Sequence, residues 1–250
     1  MSQHPLRQQV ISEWRKIRST RTVWGLLIGL VALIALGTIG RLANGRRVAD
    51  LSGPLTSLEL LGIPLFSLMI FSLVMGLRSF TDEFRYGSIV PTLLADPDRR
   101  RVLAAKLMVV AAMGALFAVV AGGAGLGIAV AGLTIKGIAI HTTTGAIVRW
   151  SAEFVAIGLL WAALGVGVGL AVRHQVAAIV GCLVWIVVGE QLLSGLVPKL
   201  ARYLPASATF AIRTGGPNDL GHVAAGFVLA AWVAVAVAVG NEFMRRRDIA

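Results

Sequence analysis

The chain has 250 residues, of which 57% are hydrophobic and 14% charged, and its mean hydropathy is +0.82. A soluble domain carries about a quarter charged residues, so this composition excludes an ordinary soluble protein. The net charge of +11 does not indicate a nucleic-acid partner, because aromatic residues are not interleaved with the basic clusters.

The first 22 residues form a polar arm that lacks the apolar core and cleavage site of a signal peptide. Its apolar side chains recur at helical spacing, at Val10, Ile11, Trp14 and Ile17. This pattern predicts an amphipathic helix lying in the membrane interface, with Trp14 at headgroup depth. The alternative is a basic tail that directs topology and has no defined structure.

Six apolar runs approach or exceed the ~20 residues that a helix needs to cross a bilayer. They cover 24–40, 58–77, 102–133, 152–172, 176–197 and 223–240. The first is short, so its flanks contribute, whereas the third is long enough to tilt, kink or protrude. We therefore predict an all-α polytopic membrane protein, with one transmembrane permease domain over residues 1–250.

The distribution of positive charge predicts the orientation. Six spans place both termini on one side, and fifteen of the 23 Lys and Arg residues lie on that side. Since Lys and Arg accumulate on cytoplasmic flanks, both termini are expected in the cytoplasm.

Glycine pairs spaced four residues apart occur within three of the runs, at Gly25/Gly29, Gly123/Gly127 and Gly165/Gly169. Such pairs let helix backbones approach closely. They predict close packing within the bundle, with a dimer seam as the alternative.

A polar segment at 78–102 separates the second and third apolar runs. It contains four acids that topology does not require, at Asp82, Glu83, Asp96 and Asp98. A glycine, a semi-apolar stretch and a proline-containing turn then predict a short helix across the mouth of the bundle. Such a helix fits a groove on a partner, whereas the alternative is a solvated loop.

Two short patterns stand in a definite order along the chain. An acid, a Gly-Ser-Ile stretch, a basic loop and a lysine opening the third span occur at Glu83, Gly87, Ser88, Ile89, Arg100 and Lys106. An E-x-x-K-[IL] pattern precedes them, carried by Glu13, Trp14, Lys16 and Ile17, and the final span ends in a short basic tail. Together these features resemble the permease subunits of ABC-2 type transporters over the whole length of the chain.

The resemblance implies two six-helix permeases, a homodimer or a pair of homologues, each bound to a cytosolic ATPase subunit. It places the cytoplasmic coupling helix within residues 81–94, and coupling to the ATPase would involve Asp82, Glu83, Phe84, Arg85, Tyr86, Gly87, Ser88 and Ile89. It makes the N-terminal arm the interfacial helix of the family. An outer re-entrant segment is expected at 194–218, between the fifth and sixth spans.

The lysines bear on how ATP would be used. A phosphate-binding Walker A loop needs a Gly-Lys pair, but the four lysines follow Arg15, Ala105, Ile135 and Pro198. The histidines are scattered and no nucleophile elbow is present. We expect no enzyme activity, metal or directly bound cofactor in this chain, so that ATP and its Mg²⁺ would be bound by the partner subunit.

Polar residues within the apolar runs are candidates for function. Glu190 and Gln191 lie near the outer end of the fifth run and could line an exit or outer gate, or anchor the re-entrant segment. A third reading is that Glu190 reaches the outer interface. Arg149 and Glu153, spaced i and i+4, are predicted to form an ion pair.

These features predict the permease subunit of an ATP-driven exporter in a bacterial cytoplasmic membrane. Its cargo is expected to be a drug, antibiotic or lipid-like compound, because the spans carry few charges. Two alternatives remain open, namely a membrane anchor that recruits a cytosolic partner without moving solute, and an ion-coupled carrier.

Overall fold

The computed structural model describes residues 4–43, 62–88, 94, 98–137, 144–172, 174–214 and 220–246. Within them the chain is built from nine helices. They are α1 (His4–Ser19), α2 (Arg21–Ala43), α3 (Gly62–Arg85), α4 (Arg99–Ile135), α5 (Thr144–Ala171), α6 (Gln175–Leu196), α7 (Pro198–Ala201), α8 (Pro205–Thr214) and α9 (His222–Arg246). The all-α fold is confirmed, and six of these helices, α2 to α6 and α9, are long and apolar enough to span a membrane.

Helix α3 extends two turns beyond the predicted end of its apolar run at residue 77. The extension is helical because its charges suit a helix, with Arg78 and Asp82 paired at i and i+4 (2.9 Å). It ends before Gly87, whose positive φ of 67° suits glycine and closes the helix. The polar segment predicted as a loop at 78–102 therefore begins and ends in helix. Of the range predicted to hold the coupling helix, 81–94, residues 89–93 lie outside the described residues.

Helix α4 is continuous over 37 residues. Asp98 caps its N-terminus by accepting hydrogen bonds from the backbone N–H groups of Arg100 and Arg101. At 1.5 Å per residue the helix is about 55 Å long, against a bilayer core of about 30 Å. The sequence predicted that this long run tilts, kinks or protrudes. The structure shows no break in the helix.

Helix α5 lies at the centre of the bundle and packs against α3, α4 and α9. The contacts with α3 and α4 are close enough for backbones to touch. A Cβ atom added to Gly165 would clash with the carbonyl of Leu73 on α3, and one added to Gly114 on α4 would clash with the carbonyl of Gly158. The large side chains Phe117, Phe154 and Trp161 fill the remaining space of the core.

The segment between the last two spans is helical in short pieces. Helix α6 contains a π turn at Trp185–Gly189, and α7 and α8 follow it within the predicted segment 194–218. Helix α8 packs against α9. Whether this segment re-enters the membrane stays a prediction, because the structure contains no bilayer.

Candidate functional site

Four charged side chains from three helices meet at the end of the bundle where α1 lies. Lys106 of α4 donates hydrogen bonds to Glu13 Oε2 of α1 at 2.6 Å and to Glu83 Oε1 of α3 at 2.8 Å. Lys16 of α1 bonds the same two carboxylates, at 2.7 Å and 3.1 Å. We call Glu13, Lys16, Glu83 and Lys106 the charge cluster, and it ties α1 to the ends of α3 and α4.

The helices position these residues by simple spacing. Glu13 and Lys16 lie three residues apart and share one face of α1. Glu83 follows Phe80 by three residues on α3, and both side chains point inward and are buried. The ammonium group of Lys106 lies 5.1 Å from the centre of the Phe80 ring, within the range of a cation–π contact.

The charge cluster contains two acids and two bases, so its formal charges cancel. Burial raises the pKa of the Glu13 carboxyl, but the nearby ammonium groups of Lys106 and Lys16 outweigh burial and hold that pKa below its ordinary value. Burial lowers the pKa of Lys16, but its bonds to Glu13 and Glu83 leave that pKa raised. The ion pairs and hydrogen bonds of Glu13 and Lys16 therefore outweigh burial and favour the charged form of each group at neutral pH.

One oxygen in the charge cluster has no hydrogen-bond partner in the part of the chain that the structure describes. Glu83 Oε2 is buried and receives no hydrogen bond from any described residue. An unsatisfied buried acceptor costs roughly 1–3 kcal/mol. The charge cluster therefore holds Glu83 by one carboxylate oxygen and leaves the other unsatisfied.

The predicted coupling residues fall into two groups. Glu83 is buried, and Asp82, Phe84 and Ser88 are partly buried, whereas Arg85, Tyr86 and Gly87 are exposed in the turn after α3. Ile89 lies outside the described residues. The exposed turn is thus the part of this set that a partner could contact directly, while Glu83 faces the interior.

The residues predicted on the N-terminal arm also divide. Glu13 is buried and Ile17 packs against the core, whereas Trp14, the residue after Glu13, is exposed. This amphipathic helix agrees with the predicted arrangement of side chains, and its position in a membrane interface stays a prediction.

Sequence patterns singled out all four members of the charge cluster but did not predict that they pair with one another. The available signal was the pairing of an acid with a lysine in each of the two sequence patterns, Glu13 with Lys16 and Glu83 with Lys106. A second link was also missed, since Arg78 of α3 bonds both Asp82 and the hydroxyl of Thr22 on α2 (3.3 Å).

At the opposite end of the bundle, Glu190 is buried with 1% of its surface exposed. Its carboxylate accepts hydrogen bonds from the backbone N–H groups of Ala206 (3.1 Å) and Ser207 (3.2 Å), at the first turn of α8. Of the alternatives predicted for Glu190, this geometry corresponds to an anchor for the segment after α6. Gln191 is exposed, and the predicted Arg149–Glu153 ion pair is confirmed at 3.5 Å.

Comparison with known families identifies the kind of protein. Residues 10–189 match the family described as ABC-2 family transporter protein. The chain belongs to this family. No curated protein matches the sequence. All four members of the charge cluster of this ABC-2 transporter protein lie within the matched region, whereas Glu190 lies just beyond it.

Proposed function

We propose that this ABC-2 transporter protein is the membrane-spanning permease subunit of an ATP-driven exporter. It would act with separate cytosolic ATPase subunits and a second permease copy. Family membership, six membrane-spanning helices and the lack of a Gly-Lys pair in the sequence support the proposal. The charge cluster is the observation that carries it furthest, because it gives the exposed turn after α3 a rigid connection to the bundle.

The proposed coupling runs through the end of α3. A partner that contacts Arg85, Tyr86 and Gly87 moves the turn, and Glu83 is less than one helical turn away. Because Lys106 bonds both Glu83 and Glu13, a displacement of α3 would shift α4 and α1 together. Glu83 would be a positioning residue that transmits motion without touching the ATPase.

We propose the cytoplasmic membrane of a bacterium as the location, with both termini in the cytoplasm. The charge excess on the flanks that share a side with the termini supports this orientation. The apolar faces of α2, α6 and α9 are available for lipid or a second permease copy. A drug, antibiotic or lipid-like cargo is proposed from the scarcity of charge in the spans.

Reconstitution with a candidate cytosolic ATPase subunit tests the proposal. In proteoliposomes, Glu83→Gln and Gly87→Ala should retain ATP hydrolysis, because neither residue binds nucleotide in this proposal. The export rate of each variant should fall about tenfold or more, which corresponds to a loss of ~1.4 kcal/mol of coupling free energy. Gly137→Ala is the matched control, because Gly137 has the same positive φ, 68°, at the far end of α4.

Three results would contradict this function. Export that proceeds without ATP in vesicles containing the permease alone would indicate an ion-coupled carrier. Stable recruitment of the ATPase without movement of any solute would indicate a membrane anchor. Full export by both Glu83→Gln and Gly87→Ala would show that coupling does not pass through the end of α3.

A further inference from the structure

Polar side chains hold the segment between α6 and α9 to three of the spanning helices. Glu190 of α6 accepts hydrogen bonds from the backbone N–H groups at the first turn of α8. From α9, Trp232 Nε1 donates to the carbonyl of Tyr203, just before α8, at 2.8 Å. Trp232 lies ten residues beyond the start of α9, which is about 15 Å along that helix. The segment therefore descends alongside the helices before α8 begins.

The third link comes from α5. Trp161 Nε1 donates to Thr209 Oγ1 at 2.8 Å, and this hydroxyl in turn donates to the carbonyl of Pro205 at 2.8 Å. Trp161 is 1% exposed and Thr209 is fully buried. If this bond is broken while both groups stay buried, neither gains a bond to water in exchange, which is costly. The bond therefore fixes α8 against the central helix of the bundle.

The face of α8 that these bonds hold consists mostly of small side chains. Ala206, Ala208 and Ala211 are all buried. A methyl group makes few dispersion contacts compared with a large apolar side chain. The hydrogen bonds of Glu190 and Thr209 therefore supply much of what keeps α8 in place.

These bonds join a helix of the core to one that has little packing of its own. Helix α6 is only 17% buried over its apolar segment, and its contacts with α3 and α5 come mainly from Gln175–Val184. The π turn Trp185–Gly189 follows, and π turns are places where helices bend. We call Trp161, Thr209 and Glu190 the α8 clamp, and it connects the second half of α6 to α5.

Helix α5 is placed to follow a movement of α3. The carbonyl of Ala162, the residue after Trp161, lies where a Cβ added to Gly76 of α3 would clash, so the two backbones touch beside the clamp. The end of α3 is where the proposed contact with the ATPase lies. A displacement of α3 would therefore move α5 and load the bond between Trp161 and Thr209.

We propose that Trp161, Thr209 and Glu190 are positioning residues for export, and that the α8 clamp opens in each transport cycle. Opening would free the second half of α6 to move about the π turn. Because buried hydrogen bonds are costly to leave half made, the clamp favours two states, closed and open. Its role in transport rests on the proposed export function and adds a step at the end of the bundle opposite the charge cluster.

The clamp itself is tested without transport. In a Cys182→Ser background, Ala208→Cys places a thiol on the buried face of α8, and its rate of reaction with N-ethylmaleimide in detergent measures opening of α8. Trp161→Phe and Thr209→Val each remove one hydrogen-bonding group. Each should raise the rate about fivefold or more, the effect of losing one hydrogen bond. The double variant should react little faster than either single one, because both changes remove the same bond.

The chain offers matched controls. Trp150 Nε1 and Thr38 Oγ1 are buried and have no hydrogen-bond partner among the described residues. Trp150→Phe and Thr38→Val therefore make the same changes without breaking a bond, and they should leave the labelling of Ala208→Cys unchanged. Ala121→Cys, in the core of α4, reports unfolding of the whole bundle and should stay unreactive. Equal rates in the clamp variants and the controls, or equal increases at both reporters, would overturn the clamp.

A reversible cross-link tests whether the clamp opens during export. Glu190→Cys and Ala206→Cys, in the Cys182→Ser background, are joined by a short bifunctional thiol reagent that a reductant cleaves. In proteoliposomes with a candidate cytosolic ATPase subunit, the cross-linked protein should export about tenfold or more slowly than the same protein after reduction, because release of α8 is blocked. Export at equal rates before and after reduction would show that α8 stays in place. Failure of the unaltered protein to export with ATP would contradict the proposed function instead, and the labelling experiment would still decide whether the clamp exists.

Discussion

At the scale of single residues, Lys106 connects three helices at the end of the bundle that we propose faces the cytoplasm. It is a buried lysine, 2% exposed, and it bonds carboxylates from two other helices. A buried charge is tolerated when it is paired and hydrogen-bonded. Loss of one partner leaves the remaining charges buried without compensation, which destabilises the folded state. Glu13 and Glu83 therefore depend on Lys106 more than on the half-exposed Lys16.

Replacing Lys106 tests this dependence. Lys106→Gln should lower the stability of the protein by about 3–5 kcal/mol, because it leaves two buried carboxylates without their main counter-charge. Thermal unfolding in detergent measures the loss. Lys136→Gln, at an exposed lysine beyond the end of α4, should change stability by less than about 0.5 kcal/mol. If both variants unfold alike, the charge cluster contributes nothing to stability.

The charge cluster also predicts how stability depends on pH. The pKa of Glu13 is depressed from 4.5, so its contribution is complete above pH 4.5 and is lost as the pH falls through the lowered value. The pKa of Lys16 is raised from 10.5, so its contribution is complete below pH 10.5 and is lost as the pH rises through the raised value.

Glu13→Gln should therefore unfold at a temperature that varies less with acid than that of the unaltered protein. Differential scanning fluorimetry between about pH 3 and pH 7 measures both curves. Parallel curves for the two proteins over this range would mean that the pKa of Glu13 is the same in the folded and unfolded states.

At the scale of helices, close packing depends on which face of a helix carries glycine. The predicted pair Gly165/Gly169 packs against the backbone of α3, as expected of small residues that let helices approach. The pair Gly123/Gly127 has the same spacing, but an added Cβ at either position would meet no described atom within 4 Å. The pattern alone therefore does not distinguish a packed glycine from one on an outer face.

Two glycines of α4 make a matched pair for testing this distinction. Gly114→Ala should destabilise the protein by about 1–3 kcal/mol, because its new methyl group clashes with the backbone of Gly158. Gly123→Ala adds the same methyl group where space is open and should stabilise α4 by up to about 1 kcal/mol. Thermal unfolding shows whether each substitution raises or lowers the stability of the protein. A stabilising Gly114→Ala would contradict the close contact of α4 and α5.

At the scale of the whole molecule, the six long helices have two kinds of environment. Helices α3, α4 and α5 bury more than half of their apolar segments, whereas α2, α6 and α9 bury about a fifth. The outer three helices therefore need lipid or protein around them, which agrees with a membrane protein whose bundle has a small core and a broad apolar exterior.

Labelling of introduced cysteines tests the proposed orientation. Cys182 is the only cysteine in the sequence, so Cys182→Ser provides a cysteine-free background. In this background, Lys136→Cys should react with a membrane-impermeant maleimide on intact cells, and Gln8→Cys should react only after permeabilisation, because positive charge favours the cytoplasmic side. Both positions are exposed at helix ends or on α1. Reaction of Gln8→Cys on intact cells would place the termini outside.

The sequence by itself determined the class of this protein, because the number and length of apolar runs fix how many helices can span a bilayer. It also singled out four charged residues by their order along the chain, Glu13 and Lys16 on the N-terminal arm, Glu83 within the polar segment at 78–102 and Lys106 just after it. Only the tertiary structure decided that Glu13, Lys16, Glu83 and Lys106 are partners of one another. These residues lie up to 93 positions apart, as for Glu13 and Lys106, and local spacing cannot report contacts between helices. The same reason explains why Glu190 could be singled out by its burial among apolar residues while its role as a cap for α8 needed the fold.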